Sequence, residues 1–599
     1  MNNAVRVCDV IVDYLFQQGV DSIFTVTGGG AMFLNDGIAS HQKMKAICNH
    51  HEQAAAMAAV GYAKLRNDYG VAMVTTGCGA TNAITGLLDA WQDNVPCIFI
   101  SGQVKRKETC HNAKVPLRQF GVQEADIVAV VKTLTKYAVM VTESEDILFE
   151  LEKAASLAKT GRPGPVWIDV PLDIQGATVD VKNLRHYEPA TERVQKPAPT
   201  TGHIRTLHAM LGNAKRPIVI AGNGIRLGNA IQQFKEFSEN TGIPFAVSYL
   251  GIDLLPSDHP QYVGRLGIKG DRAGNFAVQN SDLIISLGCR LSVALTGFEY
   301  DLFAREAQTV VVDIDPDEHR KDTVRVDLMI HADVAEFFSS IGKIPPNKAW
   351  KDWGSTCRKW RNQWPVYLPE YANDDEGINK YYFIEKLISH LKDDSVVVSD
   401  AGSTYYVTSQ ALKIKGEQRY LTSGAQADMG FTLPAAIGAC VAKGSEVIGI
   451  TGDGSLQMNI QELQTLAYTQ IPVKLIVWNN NGYLSIRATQ KKFFEGRSIG
   501  TDSKSGVSFP EVERIAHAYK LPYVKIANVT ELNEKLHNVL EADGPVICEV
   551  ICPENQEIIP TVRAVKNDDG SMTSKPLEDM YPFLDRDEFL EEMIIKPVK

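Results

Sequence analysis

Residues 452–480 read GDGSLQMNIQELQTLAYTQIPVKLIVWNN. The residues before them, EVIGIT (446–451), are rich in β-branched side chains and predict a buried strand ending at Gly452. Apolar positions at Ile460, Leu463, Leu466 and Ala467 recur at helical spacing and predict a helix over roughly Asn459–Thr469. Val473–Trp478 then reads as a second buried strand closed by Asn479-Asn480. Strand, helix and strand in this order imply a parallel crossover. Ligands of such sheets bind at the carboxyl ends of the strands, which is where Asp453 and Asn480 fall. One carboxylate and one amide oxygen are a donor set for Mg²⁺, which completes its shell with phosphate oxygens and water. Gly452 and Gly454 let the backbone come close to a phosphate.

Working outward, the same alternation fills the chain. Residues 1–185 carry a helix expected over Ala4–Gln17, then strands near Ser22–Val26, Lys45–Cys48, Val71–Thr75 and Cys97–Ser101, with helices between. Residues 202–345 repeat the pattern with strands at Pro217–Ala221, Phe245–Ser248, Leu283–Leu287 and Thr309–Asp313. A third unit, 376–555, holds the opening stretch, the strand Ser395–Ser399 and the strand Val546–Ile551. The expected fold is therefore α/β, with three doubly wound parallel-sheet domains. Tyr187–Thr201, rich in Pro and Thr, reads as a boundary, and the charged, Trp-rich Lys348–Pro365 reads as a connector. Residues 556–599 read as an extended C-terminal arm with one acidic helix, Asp585–Met593, serving either as a lid or as a strap between domains.

Composition narrows the function classes. A chain of 599 residues with a formal net charge of −11 is not a general binder of nucleic acid or anionic membrane. No apolar run approaches the roughly 20 residues of a membrane span. The ten cysteines lack C-x-x-C spacing and suit a reducing, cytoplasmic setting.

The GDG…NN stretch resembles the diphosphate motif of the thiamine diphosphate (ThDP) enzymes. SGAQADMGFTLPAAIGA (423–439) is similar to the acetohydroxyacid (acetolactate) synthase branch of that family, and the resemblance extends over nearly the whole chain. It implies an acetolactate synthase-like carboligase. Such an enzyme decarboxylates a 2-oxo acid, pyruvate foremost, and transfers the two-carbon unit to a carbonyl acceptor. Alternatives on the same scaffold are transfer to a nucleotide-linked keto-sugar, or simple decarboxylation or oxidation. The resemblance further implies a homodimer or homotetramer with each site between the first domain of one subunit and the third domain of another.

Residue by residue, it makes Glu52 of His51-Glu52-Gln53 the catalytic acid that protonates the aminopyrimidine ring of ThDP. Cofactor contacts would come from Gly29, Gly30, Gly77, Asn82, Gln103, Gly402, Ser403, Thr404, Ala427, Met429, Gly452, Gly454, Ser455 and Ile486. Met429 would wedge under the cofactor, and Ala427 would offer its carbonyl. Asp453, Asn480 and Gly482 would hold Mg²⁺. The central domain would bind FAD through Gly222, Gly267, Gly270, Gly288, Arg290, Asp313, Ile314, Asp333 and Val334. His51, Gln123 and Thr489 would face substrate. The chain also departs from the family. Thr25-Val26-Thr27-Gly28-Gly29-Gly30 replaces the usual Gly-Tyr-Pro-Gly-Gly loop, and Lys269 stands where His is usual. Ser485 and Thr489 stand where Met and Trp are usual. Similar departures occur in carboligases acting on nucleotide-linked keto-sugars, and a Thr in place of an indole predicts a wider, more polar acceptor pocket.

Overall fold

Three parallel sheets of six strands each carry the chain. A computed structural model describes residues 4–189, 195–373, 375–566, 569 and 571–598. Part of the boundary segment expected at Tyr187–Thr201, residues 190–194, lies outside the described residues.

Strands of the first sheet are Ser22–Thr25, Lys45–Cys48, Gly70–Val74, Cys97–Gln103, Tyr137–Met140 and Val166–Pro171. Those of the third are Val396–Ser399, Arg419–Thr422, Val447–Gly452, Val473–Asn479, Tyr523–Ile526 and Val546–Ile551. Counted in chain order within each sheet, both run 2-1-3-4-6-5 across the sheet. The central sheet, from Pro217–Ala221 to Leu328–His331, runs 3-2-1-4-5-6, the order of dinucleotide-binding folds. The outer sheets are therefore topological copies, although their sequences show no repeat. In each copy the strand order reverses between strands 1 and 3, and ligands of open α/β sheets bind at that reversal.

The helix after strand 2 of the first sheet, Glu52–Arg66, packs on its counterpart in the third, Thr432–Lys443. The contact is between backbones. A Cβ on Gly61 would stand 2.3 Å from the Ala435 carbonyl oxygen, and one on Gly438 would stand 1.9 Å from that of Ala58. The Ala-rich face Ala54–Ala59 is wholly buried against this partner and its own sheet. Small residues here let two helices approach closely and bury both lengths.

Three expectations need correction. Ala4–Arg6 is a strand, paired antiparallel with Thr178–Asp180, and the first helix starts at Val7. The predicted helix Asn459–Thr469 is shorter, Glu462–Thr469, because the chain after Asp453 first makes a single turn and a 3₁₀ segment. Lys348–Gln363 is a 16-residue helix, not a connector. Its Trp350, Trp353, Cys357 and Trp360 are buried at helical spacing, with Asn347 capping its start. Of the two roles expected of the C-terminal arm, its contacts are those of a strap, on the central domain. Glu578 meets Arg305 and Gln279, while Glu592 meets Lys359 and the Trp360 indole. Among the described residues no helix is long and apolar enough to cross a membrane.

These helix contacts give a paired prediction. Gly438→Ala forces a methyl onto the Ala58 backbone and should cost about 1–3 kcal/mol in urea unfolding, as overpacking does. Gly212→Ala, in a helix with nothing within 4 Å of the added methyl, should instead stabilise by about 0.5–1 kcal/mol. Equal responses would contradict the close packing.

Candidate active site

The strand-order reversal in the third sheet brings together the ends of Val396–Ser399 and Val447–Gly452. Asp400 follows the first of these and is fully buried. Its carboxylate accepts from the Ala401 N–H at 2.7 Å and from the hydroxyls of Thr404 at 2.8 Å, Thr451 at 2.9 Å and Ser455 at 2.5 Å. The Ser455 hydroxyl in turn accepts from the Gly430 N–H at 2.7 Å. Asp400 was not singled out from the sequence; its signal was an acid at a strand end followed by Ala-Gly-Ser-Thr.

Around this knot lie the residues expected to hold a diphosphate. Gly402-Ser403-Thr404 open the helix Gly402–Ala411, whose N-terminus has no side-chain cap and so presents free N–H groups. Nothing lies within 4 Å of where a Cβ on Gly452 would be, so the backbone there is open to a ligand. Gly454 is glycine for another reason: a Cβ would meet the Tyr483 ring at 2.3 Å. The Ser485 hydroxyl is buried without a hydrogen-bond partner, 3.2 Å from where a Gly402 Cβ would be.

Asp453 is buried, and burial pushes its carboxyl up to about 6 against the pull of the Gly482 and Gly454 N–H groups. Asn480 spends its Nδ2 on the Gly482 carbonyl at 2.6 Å, which leaves its Oδ1 to face a ligand. One poorly solvated carboxylate beside one amide oxygen fits a hard divalent cation that shares a diphosphate. Among the described residues no group of three or more His, Cys, Asp or Glu side chains could hold a metal unaided. Arg487, also missed from the sequence, donates to the carbonyls of Asn480, Asn481 and Glu554 and so fixes this loop.

Ala427 sits in the left-handed region at φ 54°, a costly place for a residue with a Cβ, beside the half-exposed Met429. The loop is held by its own Ser423 and, from the first domain, by Asp93, which accepts from the Gly424 and Ala425 N–H groups at 2.7 and 2.9 Å.

The first sheet holds the other half of the expected set. Glu52 is 9% exposed, and its one hydrogen-bond partner among the described residues is Asn82, at 2.9 Å. His51 caps the helix by accepting from the Gln53 N–H, so its ring is engaged at the helix start. Gly77, at φ 64°, packs on the backbone of Gln123, itself left-handed at φ 62°. Gly30 packs on Thr76, whose hydroxyl donates to Gln103. Gln103 also donates to Asp169 and to the Ala125 carbonyl and accepts from the Val104 N–H. Its amide is thus fully occupied within the protein and braces the end of its strand. Gly29 is open, with nothing within 4 Å of an added Cβ.

Ile486 and Thr489 project from the helix Leu484–Phe493, of which only Leu484 is buried. The Thr489 hydroxyl is turned back to the Ser485 carbonyl at 3.0 Å.

In the central domain the reversal lies between Pro217–Ala221 and Leu283–Leu287. Gly222 and Gly288 abut there, a Gly222 Cβ falling 2.1 Å from the Gly288 carbonyl oxygen. Arg290 follows, its Nε buried and 3.3 Å from Glu318 without a directed hydrogen bond. Gly267 and Gly270 lie in the turn after the edge strand Tyr262–Arg265. Asp313 ends the fifth strand of the central sheet, Gln308–Asp313, Ile314 follows it, and Asp333 caps the helix Val334–Ile341 while pairing with Lys196 at 3.0 Å.

This architecture is that of a three-domain thiamine pyrophosphate enzyme. Residues 5–129 match the N-terminal TPP binding domain of the thiamine pyrophosphate enzymes, 204–341 the central domain, and 400–550 the C-terminal TPP binding domain. The chain belongs to that family. Within it, the chain is similar over most of its length to acetolactate synthases. It is 32% identical to the acetolactate synthase isozyme 2 large subunit of Escherichia coli, over 95% of this chain and 99% of that one. It is 32% identical to the acetolactate synthase large subunit of Lactococcus lactis, over 93% and 94%. It is likewise 32% identical to the chloroplastic acetolactate synthase of Arabidopsis thaliana, over 92% and 82%.

The knot at Asp400 sets a test of local structure. Asp400→Ala strands three donors in a dry site, the Thr404 hydroxyl keeping the Ala401 carbonyl, and should lower stability by about 3 kcal/mol or more, since each unsatisfied buried group costs about 1–3 kcal/mol. Asp400→Asn should cost less, because its amide oxygen still serves part of the set. The check is urea unfolding of both variants; an Ala variant as stable as wild type would remove Asp400 from this role.

Proposed function

We propose that the chain is a ThDP- and Mg²⁺-dependent carboligase that takes the two-carbon unit of pyruvate to a carbonyl acceptor larger and more polar than pyruvate, of the keto-sugar class. ThDP, when bound, supplies the carbon nucleophile and the electron sink for decarboxylation. The protein's share is to hold, orient and protonate. Asp453 and Asn480 hold the cation and, through it, the diphosphate. The open backbone at Gly452 and the uncapped helix start at Gly402 take phosphate oxygens. Glu52, oriented by Asn82, keeps a proton at a ring nitrogen of the cofactor. Met429 and Ala427 set the cofactor's bend.

Glu52 and the Asp453 side belong to separate sheets. The residues flanking Glu52 are already docked on the third domain of the same chain: Asn49 and the His50 N–H on Glu462, and Gln53 on Asn459. This arrangement suits a homodimer in which Glu52 serves the third domain of a second copy. The glycine-lined reversal of the central sheet and the underused Arg290 Nε suit FAD, held by Gly222, Gly288 and Arg290.

The observation that carries the acceptor class is Thr489. It stands on an exposed helix face where related enzymes tend to carry a bulky indole, and its hydroxyl donates to the Ser485 carbonyl of its own helix. A polar, open wall tolerates a hydroxylated acceptor, whereas an apolar one would strand its hydroxyls. Plain acetolactate synthesis is the second reading, favoured by the full-length similarity to acetolactate synthases.

Two outcomes are expected. Glu52→Gln should bind ThDP yet slow exchange of the thiazolium proton, followed by NMR, by at least about a hundredfold, the lower end of general acid–base contributions; unchanged exchange would sink the assignment. Thr489→Trp should cut kcat/KM for a nucleotide-linked keto-sugar relative to pyruvate as acceptor by about tenfold or more, since pocket packing is worth about 1–3 kcal/mol. Efficient acetolactate formation from pyruvate alone by wild type, with products identified by mass spectrometry, would leave the second reading standing.

A further inference from the structure

Three cations from three distant parts of the chain meet at the C-terminal arm. Lys269 comes from the turn after the edge strand of the central sheet, and its Nζ lies 3.3 Å from the Ile558 carbonyl. Lys492 comes from the third domain, and its Nζ lies 3.4 Å from the Ala564 carbonyl. Arg563 is on the arm itself, next to Val562, whose N–H donates to the Ile268 carbonyl at 2.9 Å. Among the described residues, the carboxylate that these contacts draw into the group is Glu557, paired with Arg563. The group therefore carries excess positive charge. Its electrostatics agree: burial and the neighbouring Arg563 and Lys492 push the Lys269 ammonium down to about 8, and burial and Arg563 also lower Lys492. A folded protein brings like charges together at a cost, and an anion removes that cost.

The position of the group says which anion. Lys492 lies three residues beyond Thr489 on the same exposed helix, so the two side chains share a face. The strand before Lys269 is two strands away from the central sheet's reversal point, where Gly222 and Gly288 lie. The turn that carries Lys269 also carries Gly267 and Gly270, both expected to line a flavin, so a flavin diphosphate is the rival occupant; Lys492, which reaches the arm from the third domain beside Thr489, is what sets this group apart. Two ammonium groups and a guanidinium suit the spread charge of a diphosphate better than a single carboxylate.

We propose that Lys269, Lys492 and Arg563 form a binding site for the diphosphate of a nucleotide-linked acceptor, anchoring it beside Thr489 while its sugar carbonyl reaches the carboligation site. The inference rests on the carboligase reading above and adds the substrate class: an acceptor carrying a nucleoside diphosphate.

The test is direct binding, which needs no turnover. ADP, CDP, GDP and UDP are titrated calorimetrically into the full-length protein loaded with ThDP, Mg²⁺ and FAD. At least one should bind, more weakly as salt rises. Lys492→Met and Arg563→Met should each weaken that binding by about tenfold or more, the usual loss for a charge-assisted contact. Lys535→Met, which removes a charge on a distant helix, should leave it as in wild type. Lys492 is exposed, so its substitution does not put the fold at risk. Absence of nucleoside diphosphate binding, or equal affinity in all variants, would overturn the site. So would loss of flavin absorbance in Lys492→Met and Arg563→Met with unchanged nucleoside diphosphate affinity, which would assign the charges to FAD. Charge-dependent binding without keto-sugar turnover would uphold the site and send only the carboligase reading back for revision.

Discussion

A carboxylate with no access to water has to be satisfied completely or not be charged, and that requirement at Asp400 orders the third domain's ligand-facing edge. Its four donors come from the end of strand 1, the first turn after it, the end of strand 3 and the turn after that. Through Ser455 the network extends to Gly430, at the end of the loop that follows strand 2. Three connections that are far apart in sequence are thus fixed to a single pair of oxygens. The strained Ala427 and the open Gly452 sit on this frame. A loop holding a residue at positive φ needs such overdetermination, because the strain would otherwise relax.

The helix contact between the first and third domains is a second constraint of the same kind. Gly61 and Gly438 meet the backbone of the opposite helix reciprocally, as related elements in two copies of one topology would. Asp93 adds a polar tie, from the first domain to the Gly424 and Ala425 N–H groups. Lys64 makes the tie affordable, approaching Asp93 at 2.7 Å and Asp89 at 3.3 Å while donating to the Thr422 carbonyl. The loop carrying Ala427 and Met429 is therefore shaped by its own domain and held in place by another.

Much of this was legible in the sequence, and the reasons are physical. Fully buried parallel strands leave continuous apolar runs, so Cys97–Ser101 and Val473–Trp478 could be read without a structure. Glycines at strand ends marked the reversal points. The Trp-rich helix Lys348–Gln363 was misread because charges outnumber apolar residues in it, although its tryptophans keep helical spacing. The strand Ala4–Arg6 was hidden because its partner lies some 170 residues away. The kinship of the outer domains shows in the sequence only as a common order of strand, glycine loop and helix, with no repeat, since many apolar sequences satisfy one topology. Hydrogen-bond commitments were the least visible. Nothing in the sequence said that Gln103 would be used up by Asp169, Thr76, Ala125 and Val104, or that Asp400 would gather four donors.

The C-terminal arm shows how a segment without a core of its own acquires a role. Its anchors are apolar and local: Leu577, Met580 and Phe589 are buried against the central domain. Glu578, Glu588 and Glu592 pin it through Arg305, Gln363, Trp364 and Lys359. With its far end fixed, the near end is free to be functional, and it runs between Ile268-Lys269 and Lys492. There a cation of the central domain, one of the third domain and one of the arm come together. The charge density at that point is therefore a property of the folded arm. It is invisible in the net charge of −11, which belongs to the chain as a whole and has the opposite sign.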